Sequence, residues 1–459
     1  MTLRAGKHIY LLLVLLSLAV IARIDYNTWQ GIRFYGDTES YIRVAESIMI
    51  DGSTFDPHRT PVYPLFLVCN YLLFGYGNNI AVGIIQAILG TLSVILIYLL
   101  TYTISRSRTA SMLAGISIAF NYNIMHYDMM IVTEALAGFL VIIAFWSLYW
   151  LIKSGISLIP AIIFSFLVLI LIFLRPAMML LVPFAMIIAL AHYLRNKEFR
   201  KCIRMLLPFC VIVLLPLLMW SITMKSRYGF WSISNVQYVN ILRVIIRNDM
   251  VDDAPEKYSA LVAEINKELE RQDDREKYNT TRMLEDIDTV IPKGSDEDYS
   301  YLSAFARDTA LGKPFKFIRR SLSFLPKILD DTLQEKEYSM SNSLVARAGY
   351  FIYKTMVYRP MIKNVIPVLL ILLTVFLAVK GYSDKSPRIF FMLLTTAYIW
   401  MTLAMNVIFA CSDFDRLRMP IDAMIIMVVW TSIAILFKIF DKRFRHKYNP
   451  AAGASDENC

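Results

Sequence analysis

Long apolar stretches without a single charge recur along most of this chain, and they decide what it can fold into. Residues 94–100, 159–174 and 424–437 contain no Asp, Glu, Lys or Arg. Many such runs approach the ~20 residues a helix needs to cross a bilayer. Of the whole sequence 57% is hydrophobic and 18% charged, against roughly 25% charged in an ordinary soluble domain. A single aqueous globule burying all these runs would lack the polar surface to cover itself. The sequence is that of an all-α polytopic membrane protein.

Charge placement narrows the partners. The formal net charge is +10, but the basic residues cluster in short segments beside apolar runs. They act there as orientation signals, so nucleic acid is not an expected partner and membrane lipids are. Cys69, Cys202, Cys210, Cys411 and Cys459 show neither disulfide nor zinc-site spacing. Arg4, Lys7 and His8 precede an apolar stretch over 9–24, with Val20-Ile21-Ala22 as an acceptable cleavage pattern. An uncleaved first span closes the topology better than a signal peptide does.

Expected spans lie near 9–24, 79–104, 109–122, 131–152, 157–174, 176–194, 205–224, 363–380, 388–411 and 419–439, about ten in all, the third being short. Threaded from a cytoplasmic amino terminus, the inner connections carry Arg106 and Arg108, Lys153, residues 195–204, then Lys380, Lys385 and Arg388. The basic end holds Lys442, Arg443, Arg445 and Lys447. Each inner connection carries Lys or Arg, as the positive-inside rule demands; one adjustment is needed near the short third span. The expected division is 1–224 as an N-terminal membrane module with a functional first outer loop (25–60), 225–362 as an extracytoplasmic domain, 363–448 as C-terminal membrane helices, and 449–459 as a disordered cytoplasmic tail.

Within the first outer loop, 41–50 has helical spacing and predicts a short helix lying along the membrane surface. The apolar stretch 60–74, interrupted by Pro61 and Pro64, suits a helix in the interface or entering partway. Segment 225–362 holds most of the chain's acidic residues; 254–272 and 302–311 read as soluble amphipathic helices. Residues 315–329 are basic and aromatic and suit a membrane surface. Asn279-Thr280-Thr281 matches a glycosylation sequon.

This topology gathers acids and arginines at one membrane face: Asp37, Glu39 and Arg59; His126, Asp128 and Glu134; Arg175 before Pro176; Lys225 and Arg227; Asp413, Asp415, Arg416 and Arg418. Ionisable groups at such depths are costly unless paired or solvated. Each has a plainer reading alone: Glu39 as a solvated capping acid, Arg175 snorkelling to the interface, Arg416 and Arg418 as anchors, Glu134 favoured by a helix dipole. Lone histidines such as His58 and His126 are more often structural than ligating. Their shared sidedness is what strengthens them. A carboxylate can take a proton from an acceptor hydroxyl while guanidiniums neutralise a departing phosphate, and arginine offers phosphate a planar, permanently charged fork. Outside the cytoplasm the activated group must come from a lipid phosphate.

The run Gly36-Asp37-Thr38-Glu39-Ser40-Tyr41, then Ala45 and Arg59-Thr60-Pro61-Val62-Tyr63-Pro64, resembles the first outer loop of GT-C glycosyltransferases. Relatives of this type include family 39, the protein O-mannosyltransferases and the aminoarabinose transferase of lipid A. Gln86, Thr133-Glu134-Ala135-Leu136, Leu174-Arg175-Pro176, Trp220, Arg227-Tyr228-Gly229, Lys313-Pro314 and Arg416-Leu417-Arg418-Met419-Pro420 follow in matching order. The resemblance implies a membrane enzyme of the cell envelope that moves one sugar from a polyprenyl-phosphate donor to an extracytoplasmic lipid, glycan or protein, with inversion. It implies Asp37 as base, Glu134 as a second acid, and Arg59, Arg175, Arg416 and Arg418 around the donor phosphate. Glu39, Tyr41, His58, Tyr63, Lys225 and Arg227 would support them. A divalent cation, Mg or Mn, on Asp37 and Glu39 stays open, as some relatives use one. The Trp-Trp-Asp signature of oligosaccharyltransferases is absent, and a bacterial inner membrane is the expected location. The alternatives are a surface-polysaccharide polymerase or ligase using lipid-linked glycan, and a lipid-linked-sugar flippase or transporter. The last is disfavoured by charges at one face and no visible repeat.

Overall fold

The computed structural model describes residues 2–271, 296–330, 344–355, 365–383, 386–409 and 414–448. The sequon at 279–281, Asp413 and the tail 449–459 lie outside the described residues, as does the side chain of Asp415. Every regular element described is helical, apart from one parallel bridge between Arg33 and Met130.

Polar residues between the apolar runs set the helix ends. Helix α1 (Thr2–Gln30) leads to α2 (Thr38–Asp51), which closes at Gly52 with φ 67, the left-handed turn glycine tolerates. Helix α3 (Val62–Phe74) follows Pro61. Asn78 caps α4 (Asn79–Ser105) by accepting from the Ala81 amide at 3.1 Å. Ser107 and Asn121 cap α5 (Arg108–Ala119) and α6 (Tyr122–Asp128) in the same way. Helices α7 (Glu134–Lys153) and α8 (Leu158–Leu174) form a hairpin, and α8 stops where Arg175 turns extended before Pro176.

Beyond a 3-10 turn, α9 (Leu181–Asn196) is followed by α10 (Phe199–Phe209) and α11 (Leu215–Tyr228), joined into one long rod by a π-helical turn over Cys210–Leu214. Helices α12 (Val236–Arg247), α13 (Ser259–Arg271), α14 (Asp296–Gly312), α15 (Pro314–Leu322) and α16 (Leu325–Asp330) follow. The chain continues through α17 (Leu344–Tyr353), α18 (Val365–Ser383), α19 (Pro387–Phe409) and α20 (Phe414–Tyr448).

Among the described residues, seven helical segments are long and apolar enough to cross a membrane: His8–Thr28, Asn79–Ser105, Glu134–Lys153, Pro176–Asn196, Phe199–Tyr228, Pro387–Phe409 and Arg416–Ile439. Of the other three expected spans, the stretch near 109–122 holds the 12 residues of α5 and stops short of the Asn121 cap, Leu158–Leu174 is a 17-residue apolar helix that ends before Arg175, and α18 has 19 residues with an apolar Val368–Val379. A helix is present after Pro61, as expected, in the 13 residues of α3.

Among the described residues, three cores hold these helices. The largest joins α1, α4, α5, α7, α8, α9, α19 and α20 through residues such as Leu15, Tyr98, Phe145, Phe184, Phe391 and Met424. A second is built by Val244, Ile245, Met250, Tyr258, Leu261, Ile265, Phe305 and Phe317, so the expected amphipathic helices pack on one another. Ion pairs rim it, with Lys257 at 2.7 Å from Asp308 and Lys313 at 2.6 Å from Asp253. Arg247 ties it to the bundle by donating to the Val407 carbonyl at 2.8 Å. The third is a small layer of Tyr41, Ala45, Tyr63, Leu67, Tyr71, Ile131 and Leu174. It fixes α2 and α3 against the ends of the long helices and lies directly beneath the polar cluster described next.

Candidate functional site

The loop before α3 aims Arg59. Asp56 Oδ1 accepts from the backbone amides of His58 and Arg59, both at 2.8 Å, a local turn that presets the chain before Pro61. From there the Arg59 guanidinium turns back onto α2. Its Nη2 donates to Asp37 Oδ1 at 2.6 Å, its Nε to Ser40 Oγ at 2.7 Å, and it lies 4.5 Å from the Tyr41 ring. Ser40 Oγ donates in turn to the Asp37 carbonyl at 2.6 Å. The segment after α11 clasps this loop from outside. Ser234 donates to the His58 carbonyl at 2.7 Å, the Asn235 amide to Pro57 O at 2.9 Å, and Tyr228 to Phe55 O at 3.2 Å.

Glu134 arrives from the opposite side as the first residue of α7, fully buried. A buried amide sets its approach. Gln86 on α4 donates to the carbonyls of Met130 at 2.6 Å and Asp128 at 3.2 Å, and accepts from Tyr63 at 3.0 Å. The bridge from Arg33 to Met130 ties the same turn to the segment leading into Asp37. Both acids stand at helix starts, where the macrodipole favours negative charge.

Arg416, in the first turn of α20, joins the two halves. Its Nε donates to Glu134 Oε1 at 2.5 Å and its Nη2 to Asp37 Oδ2 at 2.6 Å, and the Tyr35 ring lies 4.6 Å from its guanidinium. Arg175 Nη1 comes within 3.2 Å of the same Glu134 oxygen without hydrogen-bond geometry, so that buried donor is unspent. Three guanidiniums thus meet two carboxylates, leaving one positive charge over to attract an anion. Burial pushes the Asp37 carboxyl up, but the charges and hydrogen bonds of Arg416 and Arg59 prevail and hold it at about 2. Burial raises the Tyr41 phenol, which stays neutral against Arg59.

Of the residues expected at the site, the structure unites Asp37, Glu134, Arg59, Arg175, Arg416 and Tyr41. It does not bring in Arg418, which is fully buried and donates to Asp422 at 2.8 Å and to the Ile328 carbonyl at 2.7 Å. Glu39 is exposed on α2. Lys225 is exposed and caps the end of α11 through the Gly229 carbonyl at 2.6 Å, while Arg227 lies 4.5 Å over Phe55. Tyr63 acts from below, packing on Tyr41 with ring centroids 4.9 Å apart. His58 adjoins Arg59 in sequence, and burial lowers its imidazole so that the ring favours the neutral form.

Asp128 and His126 have separate partners: Arg23 at 2.8 Å for the first, Arg33 at 2.8 Å and Tyr26 at 3.1 Å for the second. Ser40 and Tyr35 were not among the expected supports. Ser40 stood within the Asp37 motif and could have been weighed; nothing in the sequence marks Tyr35.

A divalent cation does not fit these donors as they stand. Both Asp37 oxygens and Glu134 Oε1 already receive guanidinium, and Glu39 faces away from them into the exposed side of α2. Among the described residues no three or more His, Cys, Asp or Glu side chains converge as a metal-holding group.

No protein-family model matches the sequence, and no curated protein does. Solved structures do match. The archaeal oligosaccharyltransferase AglB from Archaeoglobus fulgidus, solved in complex with an inhibitory peptide and a dolichol-phosphate, superposes with a TM-score of 0.50 at 14% identity. The alignment covers 98% of this chain and 52% of that one, so this chain spans about half its length. The Archaeoglobus fulgidus oligosaccharyltransferase in complex with Zn and sulfate gives 0.48 at 11% identity, over 95% of this chain and 50% of that one. At such identity the likeness is one of fold, and the fold shared with that oligosaccharyltransferase is all-α and polytopic.

Proposed function

We propose that this chain is a membrane glycosyltransferase that moves a sugar from a polyprenyl-phosphate donor to a hydroxyl acceptor on the extracytoplasmic side. The observation that carries the reading is the convergence of Asp37 and Glu134 with Arg59, Arg175 and Arg416 at one end of the helices. Arg175 Nη1 is buried without a hydrogen-bond acceptor, and a phosphate oxygen would suit it as a partner.

The chemistry follows from that charge balance. The acceptor hydroxyl attacks the anomeric carbon; a new C–O bond forms as the bond from that carbon to the phosphate oxygen breaks, its electron pair leaving with the phosphate. Arg175 and Arg59 neutralise the charge that develops there. Attack from the side opposite the phosphate inverts the anomeric centre. Held at about 2, Asp37 is ionised and ready to accept the hydroxyl proton but too acidic to keep it. A phosphate drawing Arg59 toward itself loosens its hold on Asp37 and makes the carboxylate a better base at the moment it is needed. The proton ends on the departing phosphate, whose second pKa is ~6.

One observation favours a larger donor: the shared fold with an oligosaccharyltransferase, whose structure was solved with a dolichol-phosphate. A polymerase or ligase acting on lipid-linked glycan would use the same carboxylates and arginines. The deciding experiment offers membranes holding the wild-type chain or Asp37→Asn a panel of labelled polyprenyl-phosphate sugars and lipid-linked oligosaccharides. Product from a monosaccharide donor, made by wild type alone, supports the reading. Product only from oligosaccharide donors moves the assignment to the second one, and full activity in Asp37→Asn removes Asp37 as the base.

A further inference from the structure

Asp37 and Glu134 are the two carboxylates a divalent cation would have to bridge, and a guanidinium already bridges them. Arg416 spans the pair through two different nitrogens, at 2.6 Å from Asp37 and 2.5 Å from Glu134. Its side chain is 12% exposed and is flanked by the Tyr35 ring, so it is held on its face as well as at its edge. The remaining Asp37 oxygen is taken by Arg59, and Thr133 Oγ1 lies 3.4 Å from Glu134 Oε2. Carboxylate oxygens suit magnesium and manganese. A dication placed here would face three guanidiniums at close range and would have to expel at least one of them.

We propose that Arg416 is the built-in cation of this site: fixed between Asp37 and Glu134, it supplies the charge neutralisation that a divalent metal would otherwise provide, and sugar transfer proceeds without added metal. The transfer clause rests on the function proposed above; the exclusion of metal from the carboxylate pair is a statement about binding and stands apart from turnover.

The test uses the full chain in detergent, as wild type, R416A and D37N. Binding of Mn2+ at about 1 mM, the range of weak oxygen-ligand sites, is followed by electron paramagnetic resonance, and transfer is measured with and without EDTA. Wild type is expected to show no manganese whose binding is lost in D37N, and its transfer to change by less than about twofold under EDTA. R416A should lose transfer in EDTA and bind manganese more tightly than wild type does.

Three results would overturn the proposal. These are D37N-sensitive manganese in wild type, a wild-type rate that falls more than about tenfold under EDTA and returns with Mn2+ or Mg2+, and R416A binding no more manganese than wild type. If R416A does not elute as a single species, R416Q replaces it and the wild-type arms still decide. Absence of transfer from every donor refutes the functional reading instead and leaves the manganese comparison to judge Arg416.

Discussion

Glu134→Gln should cost this chain more than its small change in shape implies, because it leaves buried Arg175 without its counterion and Arg416 with Asp37 alone. Glu134 is fully buried and its Oε1 lies 2.5 Å from Arg416 and 3.2 Å from Arg175. Taking a charge separation of about 4 Å and an effective dielectric near 20, one such pair is worth ~4 kcal/mol. Breaking a buried pair from one side typically costs about 3–5 kcal/mol. Arg416→Gln should cost a similar amount by leaving Glu134 to Arg175 alone. The double variant removes both members of the Glu134–Arg416 contact, leaving Arg175 as in Glu134→Gln, so it should be little worse than the poorer single variant, a coupling of roughly 2–4 kcal/mol. The assay is the thermal midpoint of the solubilised protein, read as the temperature at which the monodisperse peak is lost. Each single variant should fall on the order of 5–10 °C. Additive losses in the double variant would show that the two side chains act independently and would refute the bridged geometry.

Three further outcomes follow from neighbouring features. Asp37 is held at about 2, below its ordinary 3.8, so its stabilisation is complete above 3.8 and lost as pH falls through 2. The gap between wild type and Asp37→Asn should be constant from pH 7 to about 5 and close only below about 4, with a size of roughly 1–2 kcal/mol after allowing for solvent screening; a gap closing near pH 6 would contradict the double-arginine contact. Gly90→Ala would set a Cβ 2.5 Å from both Asp128 carboxylate oxygens and 2.8 Å from Arg23 Nη2. It should cost about 1–3 kcal/mol by forcing that buried pair aside, and an unchanged melting midpoint would count against the packing of α1 on α4. Tyr63→Phe leaves the buried Gln86 Oε1 without its donor and should cost about 1–3 kcal/mol. Because Gln86 holds the turn before Glu134, transfer should fall too; a loss of stability with transfer intact would separate that turn from the site.

The legible part of this chain was what length and charge control. Uncharged runs fixed the helical, membrane-crossing character, and prolines fixed where α3 begins and α8 ends. The misjudged part was where polar side chains interrupt a run without ending its hydrophobicity. The expected third span is broken because Asn121 accepts from the Ile124 amide at 3.3 Å and starts a new helix. Near the C-terminal side of that break, Asp128 and His126 joined the expected outer cluster by sequence position. Each is paired with a residue from the amino-terminal helix or the segment just after it, about a hundred positions away. Long-range pairs of this kind leave no local trace.

The site shows the same limit in a sharper form, twice over. Asp37 and Glu39 are two residues apart at the start of a helix, and so are Arg416 and Arg418 in α20. At about 100° per residue, a spacing of two turns a helical side chain by about 200°, so at most one member of each pair can face a given neighbour. The motifs offered both. In the structure Asp37 faces the arginines while Glu39 is exposed, and Arg416 faces the carboxylates while Arg418 is buried on Asp422. For the arginines the choice had a readable cue. Arg418 and Asp422 are four apart, the spacing at which a helix brings opposite charges together, and Arg416 has Pro420 at that position instead. An arginine with a partner on its own helix is already spoken for, and the one without such a partner was free to reach across to Asp37 and Glu134.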